Sequence, residues 1–502
     1  MINSITHAIL NYKYRQVAKF ISDPIGAQEK VLAYLLRNGK DTLYGNKYNF
    51  NSLRNKDDFR IKVPVAHYED LRPYLDKIIV EKQNNVLWNK PTKWFAMSSG
   101  TTEDRSKYIP VTKESLTMGH YRCGEQLLAV YAQAYDDVRF LMSKTLILGG
   151  SQQVNNIGDG IFTGDISAIL IKNVYAWTKR SKTPESISLI ADWEEKLEVL
   201  TNYARKNDIR ALMGVPSWML ILLKKIKEET GKELTDLWPN LEVFFHGGVS
   251  FVPFREQYDK VINNPNMRYW ETYNASEGFF GVQMHKDERD MLLMLDSGIY
   301  YEFLPMSEWD KENPETLTLD EVKTGVNYAL VISTNGGLWR YIIGDTIEFT
   351  STYPFLFKIT GRTKSFINAF GEEVIVDNSD AAIKMACEAT GAIVSEYTAA
   401  PVYFGDNNTG AHEWVIEFSK KPDSLEKFTA QLDLGLQSVN SDYAAKRSYN
   451  LSLGAPIIRA VQEDTFNAWL KQNNKLGGQN KIPRLANNRD YIDKLLAYIA
   501  QK

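Results

Sequence analysis

Three short apolar segments, TLILGG (145–150), IRALMG (209–214) and LEVFFHGG (241–248), each run into glycine, and amphipathic stretches lie between them. Over 187–206, Trp193, Leu197, Leu200 and Ala204 recur on one helical face, and Val215-Pro216-Ser217 opens a second helix over 217–230. Strands separated by helices cannot close as tight hairpins. Each must cross over and return parallel to the last, so the pattern predicts an α/β domain with a largely parallel sheet. Ligands of such sheets sit beyond the carboxyl ends of the strands. That edge carries Gly149-Gly150 and Gly247-Gly248.

A third candidate strand end, WFAM (94–97), leads into SSGTTEDRSKYIP (98–110). Ser98, Ser99, Thr101 and Thr102 surround Gly100, and Lys107 follows. Hydroxyls and backbone N–H groups with little side-chain bulk suit polyphosphate oxygens, and a lysine offsets their charge. No second glycine precedes Lys107, so this is not a Walker A loop. GDGIFTG (158–164) has one residue too many for a dinucleotide-binding fingerprint. In RYWETYNASEG (268–278), Glu277 stands in a polar turn where a carboxylate can hold magnesium. Residues 292–304 read as a hairpin through Asp296-Ser297-Gly298, and a second hairpin joins 328–334 to 338–350 through Asn335-Gly336-Gly337. Asp345 interrupts the latter's apolar arm; a ribose diol needs such an acceptor of two hydroxyl protons.

Gly361-Arg362 and the polar, glycine-punctuated stretch to 373 mark a hinge, dividing the chain into 1–361 and 362–502. The second part mixes strands at 392–404 and 412–419 with helices at 423–438, 464–472 and 489–501, an α+β pattern. Its basic loop LGGQNKIPRL (476–485) carries Lys481, placed to close over an anionic intermediate. A net charge of -3 calls for no nucleic acid, and the longest apolar run, WMLILL (218–223), is too short to span a bilayer. Two cysteines, and an N-terminus without a signal-peptide apolar region, point to the cytosol. A monomer is the default expectation.

The ordered set formed by 98–107, YNASEG (273–278), LWRYIIGD (338–345) and GQNKIPR (478–484) resembles the adenylate-forming superfamily. Within it, the chain is most similar to the Gretchen Hagen branch, the auxin-responsive acyl acid-amido synthetases. VPVAHYED (63–70), IYYEFLP (299–305) and LGAPIIRAVQEDTFNAWL (453–470) extend that resemblance over nearly the whole chain. It implies a large N-terminal adenylation domain of mixed sheets and helices and a small mobile α+β C-terminal domain. It also implies ATP and Mg2+, and two half-reactions: a carboxylic acid attacks the α-phosphate to give acyl-AMP and pyrophosphate, then an amino acid or other amine takes the acyl group and releases AMP.

By position in these motifs, Ser98, Ser99, Gly100, Thr101 and Thr102 would bind phosphate, with Lys107 at the β- and γ-phosphates. Gly247 and Gly248 would flank adenine, and Tyr273 and Ser276 belong to the second motif. Glu277 would hold Mg2+, Asp345 the ribose hydroxyls and Arg362 the ribose or phosphate, while Lys481 would be the mobile-domain lysine. Asp104 stands where the family often carries glycine. Two other readings share the nucleotide site: a ligase that passes the acyl group to coenzyme A, and a nucleotide-binding protein without turnover.

Overall fold

The computed structural model describes residues 2–101, 105–149, 154–174, 181–190, 192–286, 288–309, 311, 314–363, 366–403, 409–448, 453–472 and 482–501. Its frame is a ten-stranded mixed sheet. In spatial order the strands are Ile299–Pro305, Asn327–Thr334, Tyr341–Thr352, Phe355–Arg362, Met291–Leu293, Gly278–Gln283, Arg268–Ala275, Val243–His246, Ile209–Gly214 and Lys144–Leu148. The last four run parallel, with helices Trp193–Arg205 and Pro216–Thr230 in their crossovers. The rest of the sheet is antiparallel. The largely parallel sheet expected from the sequence is therefore confined to one half. Arg268–Ala275 is the switch strand, parallel to one neighbour and antiparallel to the other.

The hairpin expected at 292–304 does not form. Met291–Leu293 pairs with Gly278–Gln283 and Phe355–Arg362, whereas Ile299–Pro305 crosses to the far edge beside Asn327–Thr334. Buried Gln28 pins the crossing: its amide donates to the carbonyls of Leu295 (2.9 Å) and Ile299 (3.0 Å) and accepts the Tyr301 N–H (2.8 Å). Asp296 does not close a turn; its carboxylate is captured by Arg122 and Gln126. The hairpin expected between 328–334 and 338–350 does form.

The N-terminal helices Ile2–Ser22 and Pro24–Gly39 break at Asp23-Pro24, where the Asp23 side chain accepts the Gly26 N–H at 3.0 Å and proline occupies a position whose N–H would be unpaired. Val31, Leu32 and Leu35 bury one face of the second helix. Helix Tyr68–Ile79 follows an extended entry, and Ala66 bridges to the Tyr341 strand through backbone bonds to Arg340 and Ile342. Beneath this contact Arg340 and Glu302, 4% and 2% exposed, form a bidentate ion pair.

C-terminal to the sheet, Ile393–Val402 and Ala411–Lys420 pair antiparallel and Ile457–Val461 adds a parallel edge. Helices Leu425–Val439, Thr465–Gln472 and Asp490–Ala500 match the expected ones. A further helix, Val376–Thr390, occupies part of the stretch after the expected hinge; it ends at left-handed Gly391 (φ 65°). Phe370 and Tyr443 pack into the same apolar core as Leu220 and Phe254. Trp218 Nε1 donates to the Phe370 carbonyl at 3.0 Å.

Candidate active site

The segment expected to be a phosphate loop is the end of a β-hairpin. Trp94–Thr101 and Arg105–Val111 pair antiparallel, with Ser98 opposite Lys107 and Thr101 opposite Arg105. Phe95, Ile109 and Val111 are buried, which draws both arms into pleated structure up to the hydroxyl-rich tip. Ser98, Ser99, Gly100 and Thr101 thus lie on one strand end. Thr102, Asp104 and Lys481 lie outside the described residues. GDGIFTG serves the same small sheet: Phe162–Gly164 runs parallel to the first arm of this hairpin.

Lys107 leaves the hairpin toward the large sheet. Its Nζ donates to the buried Tyr341 hydroxyl at 3.4 Å and lies 5.8 Å from the centre of the Tyr68 ring. Tyr68 is held in turn by the Tyr108 N–H, 2.8 Å from its hydroxyl oxygen. Tyr341 and Tyr68 stand in the GLWRY and VPVAHYED segments, and their contact with the expected phosphate lysine was not legible from spacing.

Four residues further along the same strand is Asp345, opposite Arg362 in the antiparallel register. Arg362 Nε donates to Asp345 Oδ1 at 2.7 Å, and the Tyr273 hydroxyl donates to Oδ2. Glu373, absent from the expected set, lies 3.5 Å from the other end of the guanidinium. The strand enters Asp345 through Gly344, whose φ of 99° is closed to most side chains. Glu277 caps the cluster from the turn between Arg268–Ala275 and Gly278–Gln283, beside half-buried Ser276. Burial pushes the Glu277 carboxyl up to about 7; Lys107 and Arg362 oppose the rise and Asp345 adds to it. Lys107, Glu277, Asp345 and Arg362 therefore share one electrostatic environment, although the sequence scatters them over 256 positions.

Gly247 and Gly248 sit just beyond Val243–His246, next to the switch strand. A Cβ on Gly247 would lie 2.2 Å from the Thr272 carbonyl oxygen, and Gly248 has a φ of 87°. Both glycines are demanded by the backbone. Gly149 follows a strand two positions away in the sheet, where a Cβ would meet the Ser167 side chain; Gly150 lies outside the described residues. His246 is buried against Phe251 (ring centres 4.2 Å apart), and burial drives its pKa down to about 3. Among the described residues no group of three His, Cys, Asp or Glu is arranged to hold a metal by itself.

The chain matches the GH3 family N-terminal domain over residues 13–267, the GH3 family central domain over 292–362 and the GH3 family C-terminal domain over 377–490. It is 24% identical to the indole-3-acetic acid-amido synthetase GH3.4 of Arabidopsis thaliana, the alignment covering 93% of this chain and 90% of that protein. It is 22% identical to the 4-substituted benzoates-glutamate ligase GH3.12 of the same plant (94% of each chain) and 23% identical to the jasmonoyl-L-amino acid synthetase JAR4 of Nicotiana attenuata (91% and 90%). Among solved structures, the GH3.15 acyl acid amido synthetase superposes with a TM-score of 0.60 at 19% identity, over 94% of this chain and 93% of that one. A 2-hydroxyisobutyryl-CoA ligase in complex with 2-HIB-AMP and CoA superposes with a TM-score of 0.57 at 14% identity, over 97% and 93%. These likenesses establish a shared fold. With the N-terminal match alone spanning more than half of its residues, the chain belongs to the GH3 family.

Proposed function

We propose that this protein is an ATP-dependent acyl acid-amido synthetase that adenylates a carboxylic acid and passes the acyl group to an amino acid or other amine. The observation that carries the reading is the Tyr273–Asp345–Arg362 triad, with the charges of Lys107 and Glu277 beside it. A carboxylate is a poor acyl donor because oxide leaves badly; AMP leaves well. In the first half-reaction charge builds on phosphate oxygens, and fixed donors lower that barrier most. The Ser98–Thr101 strand end, with Thr102, would supply those donors, and Lys107 would neutralise the β- and γ-phosphates. Asp345 keeps one carboxylate for two ribose hydroxyls, with Arg362 and Tyr273 fixing its orientation. Gly247 and Gly248 would flank adenine, and Lys481 would reach the intermediate from the smaller domain, which we take to begin at 362.

Magnesium fits one position. A partly buried carboxylate held up to about 7 gains from a cation beside it. Glu277 would give one oxygen ligand, the phosphates and water the others, since Mg2+ is commonly held by one or two carboxylates plus substrate phosphates. When bound it would offset charge on the transferring phosphate.

The amide-forming names of the curated relatives support an amine acceptor over a thiol. Acid-dependent ATP–pyrophosphate exchange, run over aromatic, indole and fatty acids without amine or coenzyme A, tests the first half-reaction. Mass analysis after adding mixed amino acids tests the second. Thioester formation with coenzyme A and no amide with any amino acid would reassign the acceptor. Absence of exchange with every acid, despite ATP binding, would favour a binding protein.

A further inference from the structure

Two backbone irregularities meet at one hydrogen bond beside the site. Helical residues after the phosphate hairpin do not wind uniformly: Ser115–Tyr121 forms a π-helix before the α-helix Arg122–Ala134 begins. The wider winding inserts a residue per turn and is a costly local geometry, retained where a side chain must be aimed. On the facing strand, the register between Arg268–Ala275 and Gly278–Gln283 slips between Tyr273 and Asn274. The extra residue, Phe280, lies on Gly278–Gln283 opposite the Tyr273–Asn274 step, and such a bulge bends the strand that carries it and re-aims the side chains around it.

His120 projects from the π-helix, 4% exposed, and its Nδ1 lies 2.9 Å from the Asn274 side-chain oxygen. An amide oxygen only accepts, so the imidazole proton sits on Nδ1. Burial drives the His120 pKa down to about 4, which keeps the ring neutral at physiological pH. Asn274 follows Tyr273, the residue that donates to Asp345, and precedes the turn that bears Ser276 and Glu277.

We infer that His120 is a positioning residue: its Nδ1–H bond to Asn274 fixes the strand bulge and thereby sets Tyr273 against Asp345 and Glu277 toward the phosphates. This rests on the nucleotide-site reading above, but not on the identity of the acid or of the acceptor. The ring's role is to hold geometry through one donor, and neither a charge nor a proton transfer is asked of it.

The role separates two near-isosteres. The amide nitrogen of asparagine falls near the position of imidazole Nδ1, and that of glutamine near Nε2. His120→Asn should therefore retain the bond to Asn274, and His120→Gln should lose it. The measurement is calorimetric AMP affinity of the full chain, with thermal melting as a folding control. Loss of a buried, satisfied hydrogen bond beside the ligand predicts roughly a tenfold weakening for His120→Gln and less than about threefold for His120→Asn. Where exchange activity is available, His120→Gln should raise the KM for ATP more than it lowers kcat. Equal AMP affinity in wild type and folded His120→Gln would overturn the assignment, and so would equal losses in both variants. If the wild-type protein binds AMP but supports no acid-dependent exchange, the synthetase reading fails while the AMP comparison still decides the role of His120.

Discussion

Arg362 and Asp345 face each other in register across adjacent antiparallel strands, with guanidinium Nε 2.7 Å from carboxylate Oδ1. The second oxygen of Asp345 takes the Tyr273 hydroxyl. An aspartate held at both oxygens has one orientation, which is what a two-hydroxyl ligand requires. Asp345→Ala should raise the KM for ATP roughly ten- to a hundredfold, the range for loss of a charge-assisted contact, with a smaller fall in kcat. Asp345→Asn should fall between. Steady-state kinetics with ATP varied would detect this, and an unchanged ATP dependence would remove Asp345 from the ribose.

Glu277 gives a prediction with a definite sign. Its carboxyl is raised by burial to about 7, so the folded protein binds a proton between about pH 4.5 and 7 that the unfolded chain has released. Its contribution therefore favours folding at pH 5 and is lost as pH rises to 8. Glu277→Gln removes that loss. The variant should gain roughly 1–3 kcal/mol over wild type between pH 5 and pH 8, below the full value of the shift because the carboxylate keeps some solvent. Denaturant midpoints of both proteins at the two pH values measure it. The same variant should adenylate about ten- to a hundredfold more slowly, and wild type should need more Mg2+ at pH 6 than at pH 8, because the cation must displace the proton.

Arg340 tests structure apart from chemistry. Its guanidinium meets both oxygens of Glu302, the Thr316 hydroxyl and the carbonyl of Arg60, and it lies in the core. Arg340→Met strands the Glu302 charge in that core and should cost about 3–5 kcal/mol. Replacing Glu302 by Leu in the same chain should recover much of it. A double variant no more stable than the single one would show that the pair does more than neutralise itself.

Gly247→Ala sets a methyl 2.2 Å from the Thr272 carbonyl. Backbone must shift at the start of the Tyr273 strand end, so stability should fall by roughly 1–3 kcal/mol and ATP affinity should fall with it. Gly231→Ala offers a control: that helix-end glycine (φ 62°) has open space around its Cβ and should cost about 1 kcal/mol with no effect on ATP.

How much of this was legible depends on how local the cause is. The strands ending at Gly214 and His246 and their crossover helices follow from periodicity and glycine punctuation, and they formed where expected. Asp345 stood out because a charge interrupts an apolar arm. What periodicity cannot carry is partner choice. The 292–304 segment alternates like a hairpin, yet Gln28, more than 260 residues away, decides that its two strands separate. The phosphate segment looked like a loop because hydroxyls and glycine punctuate it, but its burial pattern on both sides extends the strand to Thr101. His120 carried no signal, since one histidine inside an amphipathic helix looks like any other; only its meeting with Asn274 marks it.

The pairing of Lys107 with Tyr341 also bears on biogenesis. The two residues are 234 positions apart, and Arg362 is later still. A ribosome adding about 5–20 residues per second needs roughly ten to fifty seconds to pass from Lys107 to Arg362. For that interval the hydroxyl-rich hairpin is made while the Tyr341 partner of its lysine is still to come, and the parallel strands emerge before the antiparallel ones that complete their sheet. The Tyr273–Asp345–Arg362 triad is thus completed late in synthesis, and a stalled or truncated product ending before residue 345 would hold most of the fold's mass without the aspartate on which the proposed ribose contact depends.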